Sequence, residues 1–143
     1  TNLAAALGLG QIERLTAFVA RKQAIAARYD AALGGVPGLT LPPRPVWAAP
    51  TLWLYSVLID PAVAGIDRGA VLQRLAAAGI ESRPVWAPAH AMPFYRHAPR
   101  LGGAVGDCLF AQGLSLPCSS SLTDAQQDRV IDALLSMVGA GVR

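Results

Sequence analysis

The sequence predicts an α+β domain: a small three-stranded sheet with helices packed on one face, preceded by a long N-terminal helix. Three observations predict it. Apolar residues recur at helical spacing in several segments. Three short runs rich in aromatic or branched residues read as strands. Glycines and prolines separate these segments, in the order helix, strand, helix, strand, helix, short strand, helix. The chain has 143 residues, 53% hydrophobic and 15% charged, which fits one domain with a real core and argues against disorder.

The first helix is carried by Leu15, Phe18, Val19, Ala26, Tyr29 and Leu33, and Gly34-Gly35 and Pro37 stop it. Its opening, Thr1–Gly10, has no charge and is apolar on every side. A helix of that kind is normally buried, so something is expected to cover it. Gly8 and Gly10 are read as places of close helix packing, because the residues after them make no phosphate loop. Pro37–Pro50 is a stiff, proline-rich connector. Thr51–Asp60 reads as a buried strand. Asp67 caps the second helix, with Val71, Leu72, Leu75 and Ala78 on its inner face, and Gly79 ends it. Ile80–Trp86 is a short second strand that dissolves into Ala87–Arg100, which holds both histidines, Tyr95 and three prolines. Leu101–Gln112 is a third helix closed by Gly113, and Leu114–Pro117 a short strand. Thr123 and Gln126 form a capping box for the last helix. That helix buries Val130, Ile131, Leu134, Leu135 and Val138.

Composition excludes several function classes. The net charge is only +3 and the arginines are scattered, so no basic stripe for nucleic acid is present. Cys108 and Cys118 read as two reduced thiols, and no signal peptide or membrane-spanning run is visible, so a cytoplasmic protein is expected. Mean hydropathy is high at +0.40, which suggests a surface meant to be covered by a partner.

Candidate chemistry concentrates in the mixed loop. His90 or His97 could pair with a cysteine or serine nucleophile, but no nucleophile elbow surrounds any serine. His90, His97, Asp107 and Cys108 match no metal spacing, so no metal site is expected. Arg83, at a strand end beside Pro84 and Trp86, suits either a carboxylate or phosphate anchor or a surface arginine stacked on Trp86. Lys22 is the only lysine among 12 basic residues. A carbonyl-binding lysine needs desolvation or a cationic neighbour that perturbs it. Lys22 lies on a polar helix face and is read as solvated.

Four stretches, in order, carry a resemblance. They are Thr1–Leu15; Trp53-Leu54-Tyr55; Gly79-Ile80-Glu81-Ser82-Arg83-Pro84 with Pro88-Ala89-His90 and Pro93-Phe94-Tyr95; and Leu114–Pro117 with Leu122-Thr123 and Asp128-Arg129-Val130. Together they resemble the C-terminal part of the DegT/DnrJ family of nucleotide-sugar aminotransferases, pyridoxal-phosphate enzymes of the aspartate-aminotransferase fold. The chain departs from the family pattern at Ala4, Ala87, Ala89, Ala91 and Met92.

The resemblance implies exchange of an amino group between an amino acid and a nucleotide-linked keto sugar, in a homodimer, with pyridoxal phosphate held through a lysine. It implies that residues 1–143 are a single C-terminal small domain, with 1–34 a linking helix and 35–143 the α+β layer. The large cofactor-binding domain, with the Schiff-base lysine, is expected to lie outside this chain. Arg83 and His90 match motif positions on the substrate side and are expected to bind substrate. Asn2 is expected near a neighbouring subunit's cofactor phosphate. No catalytic residue is expected within the chain, and the chain alone is expected to be inactive without bound cofactor. The alternative is a non-catalytic oligomerisation module derived from that domain.

Overall fold

A computed structural model of the chain describes residues 1–138. The N-terminal segment is two helices rather than one, α1 (Asn2–Glu13) and α2 (Leu15–Leu33), and they meet at 55°. Arg14 leaves helical geometry at φ −103° and ψ 0°. Packing explains why the single helix fails. α2 buries Ile25, Ala26, Tyr29 and Leu33, whereas α1 buries no residue, so nothing holds the two on one axis. A Cβ at Gly8 or Gly10 would meet nothing within 4 Å, so neither glycine serves the close packing expected of it.

The sheet has four strands, not three. They are β1 (Leu39–Thr40), β2 (Tyr55–Ile59), β3 (Arg83–Pro84) and β4 (Gly113–Leu116), in the order β1-β2-β4-β3. All pairings are antiparallel. The extra strand is two residues inside a proline-rich connector, too short to show alternation. It follows Gly38, whose φ is +81° and whose missing Cβ would sit 2.6 Å from the Ala64 backbone nitrogen.

Period-two alternation puts the buried Tyr55, Val57 and Ile59 of β2 on one face. Leu116 and Leu114 of β4 stand opposite Tyr55 and Val57. α2, α4 (Arg68–Ala77) and α6 (Asp124–Val138) bury their apolar stripes in the same core. Both predicted caps form: Asp67 accepts from the Ala70 amide at 2.8 Å, and Thr123 and Gln126 bond each other's amides at 2.9 and 3.2 Å. A short helix, α3 (Pro61–Ala64), follows β2. The predicted third helix is α5 (Ala104–Gln112); it starts three residues late and buries nothing.

Candidate functional site

α2 grips the sheet through polar side chains. Tyr29 donates to the Pro117 carbonyl at 2.8 Å, and its ring packs on Tyr55 with centroids 4.7 Å apart. Tyr55 donates to Asp30 at 2.7 Å, and Arg44 holds the same carboxylate at 2.5 Å. Burial pushes both phenols above their ordinary range, and the Asp30 bond adds to it at Tyr55. Both hydroxyls therefore stay protonated donors. Buried Gln127 of α6 donates to the Ile25 carbonyl at 2.7 Å and ties α6 to α2.

One end of the β2–β4 ladder opens into a groove of about 690 Å³, lined in part by Lys22, Trp53, Ser82, Arg83, Trp86 and Cys118. The last paired residues there are Tyr55 and Leu116. In the alternating ladder the next hydrogen-bonded rung would join Trp53 to Cys118, and no backbone hydrogen bond closes it. Lys22 fills the gap. Its Nζ donates to the Trp53 carbonyl at 2.9 Å and to the Cys118 carbonyl at 2.5 Å. The lysine is half-buried and committed, not solvated as its helix neighbours suggest. Helix geometry is the reason: positions 22, 25, 26, 29 and 33 share the face that meets the sheet. Trp53 and Trp86 are both exposed and stack at the groove, with ring centroids 6.0 Å apart and planes 24° from parallel.

Arg83 stands on β3 opposite Ser115 and lines this groove. Its guanidinium bonds Glu81 at 2.6 Å, with both side chains more than three-quarters exposed at 78% and 76%. Trp86 stacks on Trp53, and Arg83 is over no aromatic ring among the described residues. Of the two readings of Arg83, the stacked one is therefore excluded by the geometry.

His90 sits apart from the groove lining, in a 3-10 turn (Ala89–Ala91). Its Nε2 lies 2.7 Å from an Asp107 oxygen, and Arg100 donates to the other oxygen of that carboxylate. Arg100 also donates to the Gly102 carbonyl at 2.9 Å. The three side chains pin the loop after Trp86 to the first turn of α5. The His90 bond, and after it the Arg100 bond, hold the Asp107 carboxyl below its ordinary range. His97 instead accepts from Arg96 at 3.1 Å, and Cys108 is exposed. Among the described residues no group of three ligand-type side chains could hold a metal.

Asn2 is exposed at the start of α1, whose Leu3, Leu7, Leu9 and Ile12 are 59–73% exposed. The structure thus brings Arg83 to the groove but leaves Asn2 and His90 away from it. Lys22 was legible only as an odd lone lysine, and the hold of Asp107 on the loop only as a carboxylate 17 residues from His90.

No single described helix is long and apolar enough to cross a membrane; the bent α1–α2 pair passes that test only jointly.

The chain is similar to GDP-perosamine synthase of Caulobacter vibrioides, 35% identical over 135 residues that cover 94% of this chain and 36% of the relative. Its fold matches the aminotransferase TlmJ from Streptoalloteichus hindustanus at 33% identity and TM-score 0.84, covering 96% of this chain and 36% of that one. It matches DesI, solved in the presence of its TDP-sugar product, at 28% identity and TM-score 0.89, again over 96% and 36%. The chain therefore spans about a third of the length of these relatives, 36% in each case. Residues 1–135 match the DegT/DnrJ/EryC1/StrS family along nearly the whole chain, and the chain belongs to that aminotransferase family.

Proposed function

We propose that this chain is the C-terminal small domain of a pyridoxal-phosphate-dependent aminotransferase acting on a nucleotide-linked keto sugar. The groove beside Arg83 and the Trp53–Trp86 pair supports this reading, because it joins an exposed guanidinium to flat apolar surface. A guanidinium suits the phosphates of a nucleotide sugar or the carboxylate of an amino donor, and indole faces suit a base or a sugar ring. His90 belongs to the same reading as the residue that sets the loop bordering Trp86. Asn2, at the exposed start of α1, is free to meet a neighbouring subunit's cofactor phosphate. The apolar, uncovered α1 supports a homo-oligomer, and the same helix favours the alternative of an oligomerisation module. A cytoplasmic location goes with this function.

The residues of this chain do not fit the covalent hold of pyridoxal phosphate. That hold needs a free lysine amine, and Lys22 spends its ammonium on two backbone carbonyls. The chain alone is therefore inactive. Addition of pyridoxal phosphate followed by borohydride and peptide mapping tests this, with no adduct expected on Lys22. A reduced adduct at Lys22 accompanied by amino transfer would overturn the proposal.

A further inference from the structure

We propose that Lys22 is the positioning residue of the groove: it replaces the missing rung of the β2–β4 ladder and so fixes Trp53 against Trp86. In the observed register Leu54 would next face Pro117, and Trp53 would face Cys118. Hydrogen-bonded pairs alternate along the ladder, so the missing rung is Trp53–Cys118, whose two backbones make no hydrogen bond to each other. Their two carbonyls point to one ammonium, which has three donors and no acceptor. The Cys118 thiol adds a third link, donating to the Trp53 carbonyl at 3.3 Å.

The segment needs holding because it is strained. Leu52, next to Trp53, has φ +53°, and it is the one non-glycine residue with positive φ among the described residues. A left-handed leucine persists only when its surroundings impose it. Lys22 and Cys118 grip the residue immediately after it. Trp53 is otherwise 68% exposed, so side-chain packing alone does not fix its ring. The ring stacks on Trp86 of the opposite wall. Lys22 thus acts on the groove without lining it alone, through the backbone of Trp53. This inference rests on the groove's geometry and stands whether or not the groove receives a nucleotide sugar.

The stacked indoles report on the proposal directly. In the full chain carrying Trp47→Phe, Trp53 and Trp86 are the remaining tryptophans, and their coupled circular-dichroism signal reads the stack. Lys22→Met should abolish that signal while helix content and cooperative unfolding persist, and Lys22→Arg should restore it in part. A purely structural role would lower the unfolding midpoint and leave the couplet of the folded protein intact, and that result would overturn the proposal. A second measurement needs no variant. An amine acetylating reagent should modify the N-terminal amine of the native chain and spare Lys22 until urea unfolds it. Native labelling of Lys22 as fast as the N-terminus would also overturn it.

Discussion

Lys22 and Arg100 are both cations that tie a loop to a helix, and they do it in opposite ways. Lys22 is half-buried, and its main hydrogen-bond partners are two neutral carbonyls at the end of a sheet, with the Cys118 sulfur beside them at 3.7 Å. It makes no salt bridge among the described residues. Arg100 reaches a carboxylate at the surface, where it and Asp107 are each 46% exposed. Opposite charge makes the Arg100 pair look the stronger. Solvent reverses the order. An exposed ion pair exchanges water for water-like screening and contributes little. The part-buried Cys118 carbonyl loses this partner when the ammonium goes. The half-buried clamp on neutral carbonyls is therefore the one the fold depends on, and the exposed pair on a carboxylate holds only its loop.

Substitutions at the two clamps should separate them. Lys22→Met removes bonds from a charged donor to two backbone carbonyls, of which Trp53's keeps only the weak Cys118 thiol donor. Chemical denaturation should show a loss of about 1.5–3 kcal/mol, the range for hydrogen bonds to charged groups. A change under about 0.5 kcal/mol, the size of an ordinary surface substitution, would put Lys22 on a level with the surface and erase the contrast.

Asp107→Asn should leave global unfolding nearly unchanged and loosen the loop. Trypsin should then cut faster after Arg96 and Arg100, because only local opening is needed there. Acid should do the same as the substitution. The folded Asp107 carboxyl lies below its ordinary range, so its contribution is complete above the usual carboxylate pKa. It is lost as pH falls through the lowered folded value. Amide protection in residues 87–103, taken relative to the intrinsic exchange rate at each pH, should accordingly fall on acidification into and below the carboxylate range. Loop protection that is flat across that range would show that packing, not the His90–Asp107–Arg100 pin, holds the loop.

What the sequence discloses follows the same division between local and distant causes. The Asp67 cap, the Thr123–Gln126 box and the α6 stripe are local patterns, and they appear in the structure as read except that Leu135 is only half-buried. β1 escapes reading because two residues carry no period. The break at Arg14 escapes because α1 and α2 share one apolar pattern, and only packing tells them apart. At the site, Arg83 is legible because a family motif marks it. The role of Lys22 depends on carbonyls 31 and 96 residues away, at a rung the two backbones leave open. No window along the chain contains those partners, so its polar neighbours Arg21 and Gln23 suggest a solvated residue instead.

The smallest effect is expected at Arg83, and its smallness is informative. Arg83 is 78% exposed, and its partner Glu81 is only two residues away on the same segment. Such a pair closes no loop and links no distant elements, so Arg83→Gln should move the unfolding free energy by no more than about 0.5 kcal/mol. Lys22 and Arg83 line one groove, yet one is committed to the fold and the other is kept out of it. A side chain that contributes nothing to stability, while standing at the groove with five donors in a rigid fork, is available to a ligand. A measured loss near that of Lys22→Met would mean that Arg83 is structural, and the reading of it as a substrate-binding residue would fall with that result.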